Sequence, residues 1–215
     1  MRLHQPLPAY PGTIMALTAV FLLLATGATA QGVPLRIVNV GAPAINCVFN
    51  PACTNVVNDT TDNVTLSTGG TGFFQSRTFN GKPGSPAAGL FAYEYRLDLR
   101  NAVGRTAIAC VDWVSLDFGP VVSTLDYNGD RRRGDQVFVI TSGGMGTIGI
   151  RSAIKLGNKI TFRFTSPVCG GGSPGAGKTT FFWGLVAKTG PHFVTAKVHE
   201  TGGTVHIIQA RAPII

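Results

Sequence analysis

The stretch FAYEYRLDLR, residues 91–100, decides the fold class. Large apolar side chains alternate along it with charged ones: Tyr93, Tyr95, Leu97 and Leu99 against Glu94, Arg96, Asp98 and Arg100. A period of two places successive side chains on opposite faces of an extended strand. The pattern therefore predicts a β-strand with one buried face and one face that points its four charged residues into solvent.

The same alternation returns in KITFRFT, residues 159–165. Other short runs rich in Val, Ile, Thr and Phe are separated by turns rich in Gly and Pro, at 33–40, 73–79, 107–118, 121–125, 136–141, 180–187, 193–198 and 204–210. Strands at this spacing are typical of sandwiches and barrels. We predict an all-β chain of roughly 10–12 strands, folded as a single antiparallel β-sandwich of the jelly-roll or Ig-like kind.

Composition supports this fold class. Charged residues make up only 13% of the 215 residues, whereas Gly (28) and Pro (13) are abundant, which argues against long soluble helices. We expect little helix, with 149–156 holding at most one turn. Residues 31–215 suit one domain with a hydrophobic core of its own.

Residues 1–30 have the features of a cleaved secretory signal peptide. Arg2 is followed by an apolar run from Ile14 to Ala25, and Ala28-Thr29-Ala30 supplies the small residues at a cleavage site. An uncleaved N-terminal anchor is the alternative, although the run is shorter than the roughly 20 residues that span a bilayer. We predict a secreted protein, extracellular or at the cell surface.

Four cysteines are present, Cys47, Cys53, Cys110 and Cys169. An even number in an oxidising compartment indicates two disulfides. Of the three pairings we favour Cys47–Cys53, which closes a short loop, and Cys110–Cys169, which joins one strand to another. A metal site is disfavoured because no pair has the C-x-x-C spacing and no histidine lies near a cysteine.

The net charge of +8 and the pI near 9.7 indicate either a solubility feature or an anionic partner. The densest basic run is Arg131-Arg132-Arg133, and we expect no nucleic-acid partner for an exported chain. Trp113 lies on the more polar face of its predicted strand, where an exposed indole could stack on a sugar; packing in the core is the alternative. We take Trp113 and Arg131–Arg133 as the candidate ligand-binding residues.

The loop DYNGDRRRGD supplies Asp126, Asn128 and Asp130 at alternate positions and Asp135 further on. Oxygen ligands so spaced can converge on Ca²⁺. The segment resembles the D-x-N-G-D-G-x-x-D loops of secreted calcium-binding repeats, but Arg131 replaces the glycine and Asp135 lies one place beyond the pattern. The alternative is an Asn-Gly hairpin turn between 121–125 and 136–141. We expect no cofactor, with Ca²⁺ as the alternative at these four residues.

Residues 172–179, GSPGAGKT, match the pattern of a phosphate-binding loop. A loop of that kind follows a parallel strand and opens a helix. The residues that follow here, TFFWGLV, favour a strand, so we expect no nucleotide and interpret Gly172–Thr179 as a mobile, Gly-rich hairpin loop beside Cys169.

No catalytic signature is evident. Asp112 and Asp117 flank Trp113, but residues five apart on a strand point to opposite faces, which disfavours a glycosidase pair. We therefore predict a non-enzyme: a surface or matrix protein that binds a polymer, with an anionic glycan favoured, or another protein. The alternatives are a homo-oligomeric structural subunit of an extracellular layer or fibre, assembled through strand edges, and a secreted glycan hydrolase.

Overall fold

The computed structural model describes Met1 and residues 31–214, and the chain from Gln31 onward forms one compact unit. The predicted signal peptide and its cleavage site lie outside the described residues, apart from Met1. In the part that is described, no helix is long and apolar enough to cross a membrane.

The described residues form twelve strands and one short helix, a strand number within the predicted range. In chain order these are β1 Val33–Pro34, β2 Ile37–Gly41, α1 Ala42–Phe49, β3 Asn58–Thr65, β4 Thr71–Asn80, β5 Phe91–Asp98, β6 Cys110–Asp117, β7 Val137–Ser142, β8 Ile150–Leu156, β9 Lys159–Cys169, β10 Trp183–Ala187, β11 Pro191–Glu200 and β12 Val205–Pro213. The segment 149–156, predicted to hold a turn, is mostly strand β8. The segment 121–125 makes only isolated bridges, Ser123 to Val186 and Leu125 to Asp135.

The strands form two packed six-stranded sheets. Sheet A has the order β1-β8-β9-β6-β11-β12 and sheet B the order β2-β7-β10-β5-β4-β3. All neighbours are antiparallel except β2 and β7, which pair in parallel, so the prediction of a purely antiparallel arrangement is wrong. The reason lies in the predicted strand 33–40, which is split: β1 pairs with β8 in sheet A, and the chain crosses at Leu35 and Arg36 to enter sheet B as β2.

The main hydrophobic cluster lies between the sheets. Tyr93, Tyr95, Leu97 and Leu99 are fully buried in it, as the alternation predicts. Trp183 from β10 is also fully buried and packs on Phe74, Tyr95, Phe162 and Phe164, with ring centroids 5.7–6.1 Å away. Each such side chain contributes about 1.5–3 kcal/mol by leaving water.

A second hydrophobic cluster covers the outer face of sheet B. Helix α1 places Ile45 and Phe49 against Phe138 and Phe182 there. The prediction that Glu94, Arg96 and Asp98 point into solvent is therefore wrong: they are only 3%, 5% and 2% exposed. The alternation correctly separates two faces, but it carries no information about the segments that cover the second one.

Both predicted disulfides are confirmed. Cys47–Cys53 joins α1 to the loop that follows it, and Cys110–Cys169 links the first residue of β6 to the last residue of β9, which face each other in register. Two disulfides indicate an oxidising, non-cytoplasmic compartment. The sequence pattern does not predict helix α1, since eight residues with Pro43 in the first turn give little periodicity.

Candidate functional site

Among the described residues, no helix or strand packs over the centre of the outer face of sheet A, in contrast to that of sheet B. Trp113 lies at the centre of this face and is partly exposed. It pairs in register with Arg163 of β9 on one side and with His199 of β11 on the other. The three side chains therefore form a row across neighbouring strands, which lie about 4.8 Å apart.

The row is fixed by contacts among its own members. The Trp113 and His199 rings stack with centroids 4.5 Å apart and planes 10° apart. The Nδ1 atom of His199 lies 2.7 Å from Asp112 Oδ1, and Arg163 Nη1 lies 3.8 Å from Asp112 Oδ2. One carboxylate thus links the histidine to the arginine beside the indole, so the indole is held in one orientation.

A β-bulge at Asp112 creates this arrangement. The register of β6 shifts between Val111 and Trp113, so Val111 is fully buried while Asp112 and Trp113 both lie on the outer side. Val111 and Trp113, which a regular strand would place on one face, therefore lie on opposite sides of the sheet. The expectation that Asp112 and Asp117 point to opposite faces is also wrong, because the bulge leaves both outward. The rise along β6 still separates them by roughly 13–16 Å. A glycosidase pair needs roughly 5–9.5 Å.

Basic and apolar side chains surround the row. Lys159, Arg163 and Lys197 are exposed and alternate with core residues on β9 and β11, so they point outward. Phe193 and Ile207, which also point outward, are 58% and 61% exposed. The sheet A outer face, meaning these outward side chains together with Trp113, His199, Asp112 and Asp117, combines three cations and two carboxylates with apolar area.

The Arg131–Arg133 run lies elsewhere. All three arginines are exposed, and Arg131 and Arg133 border a cavity with α1, which covers the outer side of sheet B. The structure therefore places these arginines and Trp113 on opposite sides of the two sheets, and the candidate ligand-binding residues do not form one surface.

The residues of the predicted calcium loop are occupied by hydrogen bonds of the protein itself. Asp126 accepts from the backbone N–H groups of Gly129, Asp130 and Arg131, at 2.7–3.1 Å. Asn128 accepts from the Asp130 N–H, and Asp130 from that of Arg132. Arg131 adopts φ +65°, the left-handed conformation that the missing glycine would supply.

Asp135 is fully buried and separated from solvent by Arg36. It accepts from the Tyr127 N–H at 3.0 Å, and Arg36 Nε lies 3.1 Å from its other oxygen as an ion pair. Arg36 also reaches Asp130 at 3.7 Å. A guanidinium thus lies between two of the four predicted ligands. Among the described residues, no group of three or more His, Cys, Asp or Glu is arranged to hold a metal.

The loop at 172–179 leads into strand β10 and not into a helix. Its backbone is tied down at Lys178, whose N–H donates to the Cys169 carbonyl and whose carbonyl accepts from the Leu99 N–H. A Cβ on Gly177 would lie 2.0 Å from the Leu99 carbonyl oxygen, so only glycine fits there. The helix N-terminus that a phosphate loop needs is not formed in this segment.

Scans against protein-family models, curated proteins and solved structures give no match. Function must therefore be argued from the chemistry of the surfaces themselves.

A buried polar cluster lies on the outer face of sheet B, beside α1. Arg77 donates two hydrogen bonds to Asp59, at 2.8 and 3.1 Å, and its Nη1 lies 3.9 Å from Glu94. The guanidinium carbons of Arg77 and Arg96 lie 4.5 and 5.1 Å from the centre of the Phe182 ring. Burial raises the pKa of Glu94 to about 7, although Arg77 acts in the opposite direction.

The sequence pattern points to Trp113 but not to the residues around it. The alternation at 159–165 predicts Arg163 as an outward residue, but only the strand order places it beside Trp113. The alternation at 91–100 predicts Glu94 as a surface charge, and Phe182, which lines the same cavity, is remote in sequence. Neither a β-bulge nor a helix that packs over a sheet produces a periodic pattern in the sequence. The neighbours of Trp113 and Glu94 could therefore not be predicted from such a pattern.

Proposed function

We propose that this protein is exported, that its two sheets form a single β-sandwich, and that it binds an anionic polysaccharide through the sheet A outer face without transforming it. The observation that carries the proposal is the open row of Arg163, Trp113 and His199. An indole offers a flat apolar surface to a sugar ring, and the cations beside it attract sulfate or carboxylate groups.

The distribution of cations over the face suits an extended polymer. Outward cations lie on β9 and β11, to either side of β6, with the carboxylates of Asp112 and Asp117 on β6 between them. Cations spread over neighbouring strands attract a chain of repeated negative charges more strongly than a single small anion, because several contacts form at once. Electrostatic binding of this kind weakens as salt shortens the screening length from about 30 Å at 0.01 M to about 8 Å at 0.15 M.

Assembly through strand edges is the weaker candidate. At the free edge of β12, the N–H groups of Gln209 and Arg211 donate to the side chains of Asp62 and Ser76, at 2.7 and 3.2 Å. The opposite edge of sheet A is β1, which has only two residues and includes Pro34. Short, proline-containing or side-chain-capped edges are devices that prevent strand addition.

We expect residues 31–215, with both disulfides formed, to bind dextran sulfate and not unmodified dextran, with at least tenfold weaker affinity at 0.15 M than at 0.01 M salt. Trp113→Ala should weaken binding about tenfold, or about 1.4 kcal/mol. Trp113→Phe should keep most of the affinity because it retains an aromatic face. Affinity is measured by titration calorimetry, with thermal unfolding of each variant to confirm folding. Equal binding of both dextrans, or salt-independent binding, would refute the proposal.

We further propose that Arg36 takes the place of a bound cation in the Asp126–Asp135 loop. A ligand that binds only the folded chain raises its stability, by about 2.7 kcal/mol at a hundredfold excess over Kd. We therefore expect millimolar Ca²⁺ to shift the unfolding midpoint by less than about 1 °C relative to EDTA. The same comparison of Ca²⁺ with EDTA in Arg36→Gln, which lacks the guanidinium between Asp130 and Asp135, provides the control. A shift of several degrees in the unaltered protein would establish calcium binding instead.

A further inference from the structure

The outer face of sheet B contains a cavity whose properties the polymer surface does not explain. It lies between α1, the segment at 143–145 and the sheet, and has a volume of about 310 Å³. Its walls come from six separate parts of the chain, including Asn46, Asn55, Arg77, Glu94 and Phe182. Ligand-binding cavities start at about 300 Å³, so the space suits one small molecule.

Glu94 forms the buried acidic part of this cavity. Its side chain is only 4% exposed, yet its carboxylate makes no hydrogen bond to any described residue. The nearest cation, Arg77, is 3.9 Å away and gives its Nε and Nη2 atoms to Asp59. A carboxylate without an internal donor is available to a donor from outside, so Glu94 provides a hydrogen-bond acceptor at the cavity wall.

Two asparagines of the cavity wall provide complementary groups. Asn55 Nδ2 donates to Asn46 Oδ1 at 3.3 Å, which leaves the Asn46 amide hydrogens and the Asn55 carbonyl oxygen without a partner among the described residues. Phe79, Ile140 and Phe182 add apolar surface. The cavity thus combines hydrogen-bond acceptors and donors with apolar wall residues.

We propose that this cavity binds a neutral sugar ring of a single hexose unit. Hydroxyl groups donate and accept at once, so they can satisfy Glu94, Asn46 and Asn55 together, while the C–H faces of the ring contact the apolar walls. An anion would be repelled by Glu94, and a hydroxyl group, unlike a cation, can also accept from the Asn46 amide. The site is independent of the sheet A outer face, because it lies on the other sheet and uses none of its residues.

Ligand-observed NMR on residues 31–215 tests this, with the methyl glycosides of glucose, galactose and N-acetylglucosamine as probes at about 20 mM, well above a millimolar Kd. We expect at least one glycoside to bind. Asn46→Leu, which removes the amide and fills the cavity, should reduce affinity at least tenfold. Glu94→Gln, which replaces one acceptor oxygen with a donor, should do the same. Ala44→Leu adds a leucine on a different face of α1 and should change nothing.

These measurements test the cavity and the sheet A outer face separately. Binding of no glycoside, or equal binding by Asn46→Leu and the unaltered protein, overturns the cavity proposal. If Glu94→Gln does not fold, the Asn46→Leu result decides alone. Trp113→Ala should bind the glycoside normally, so failure of the polymer surface and failure of the cavity are distinguishable.

Discussion

Glu94→Gln is expected to raise the midpoint of thermal unfolding at pH 8 by roughly 6–12 °C and to leave it nearly unchanged at pH 4. The reason is burial, which raises the pKa of Glu94 from 4.5 to about 7 in the folded chain. Of the charged groups near it, Arg77 on β4 lowers the pKa, and Asp59 on β3 raises it.

The sign follows from proton binding. Below pH 4.5 the carboxyl is protonated in both the folded and the unfolded chain, so stability does not depend on it. Between pH 4.5 and 7 the folded chain holds a proton that the unfolded chain has lost, and the free energy of unfolding falls as pH rises. At about 1.4 kcal/mol per pKa unit, the full cost above pH 7 is about 3 kcal/mol, which glutamine avoids.

Calorimetric melts of both proteins at pH 4 and pH 8 measure this difference. Glu200→Gln serves as the control with the opposite sign. Burial raises the pKa of Glu200, but hydrogen bonds from Ser67 and the neighbouring His206 outweigh it and the pKa is lowered. The ionised form therefore stabilises the fold, and Glu200→Gln should lower the midpoint at pH 8. A Glu94→Gln protein less stable than the parent at pH 8 would show that the contact with Arg77 outweighs burial.

Replacing Cys110 and Cys169 together by alanine is expected to lower the free energy of unfolding by about 4 kcal/mol, against about 2–3 kcal/mol for Cys47 and Cys53. The bonds span 59 and 6 residues, and the longer loop loses more freedom in the unfolded chain. Urea titrations of the two double variants provide the comparison.

The Cys110–Cys169 disulfide also lies close to the proposed polymer-binding surface, so its loss should affect binding as well as stability. Cys110 lies two residues before Asp112, at the end of β6 where the bulge begins. The Cys110→Ala, Cys169→Ala protein should therefore also bind dextran sulfate more weakly, whereas the Cys47→Ala, Cys53→Ala protein should not. A smaller stability loss from the 110–169 pair than from the 47–53 pair would contradict the loop-length argument.

Much of the fold was predictable because it depends on local patterns. The alternation at 91–100 identified the buried face of β5, and cysteine number and spacing identified both disulfides. The burial of Glu94 was not predictable, since it depends on α1 and Phe182, which are distant in sequence. The parallel pairing of β2 also escaped prediction, because a two-residue crossing between sheets leaves no mark in hydrophobic periodicity.

The candidate site divides in the same way. Trp113 was identified as a partly polar-facing aromatic residue, but its partners Arg163 and His199 come from strands that only the sheet order makes neighbours. One extra residue, Asp112, changes which side chains share the face, and a bulge of this kind has no sequence signature. The sequence indicates Arg131–Arg133 as a binding surface by charge density alone, and charge density does not show on which side of a sheet a loop lies.

The most direct measurement compares two triple variants that remove equal charge from opposite sides of the molecule. Lys159→Gln, Arg163→Gln and Lys197→Gln neutralise the sheet A outer face, and Arg131→Gln, Arg132→Gln and Arg133→Gln neutralise the loop beside α1. Depletion by immobilised dextran sulfate at low salt is measured for both and for the parent. We predict at least a tenfold loss of affinity for the first triple and less than a threefold loss for the second. The reverse order, or an equal loss in both, would contradict binding through the sheet A outer face.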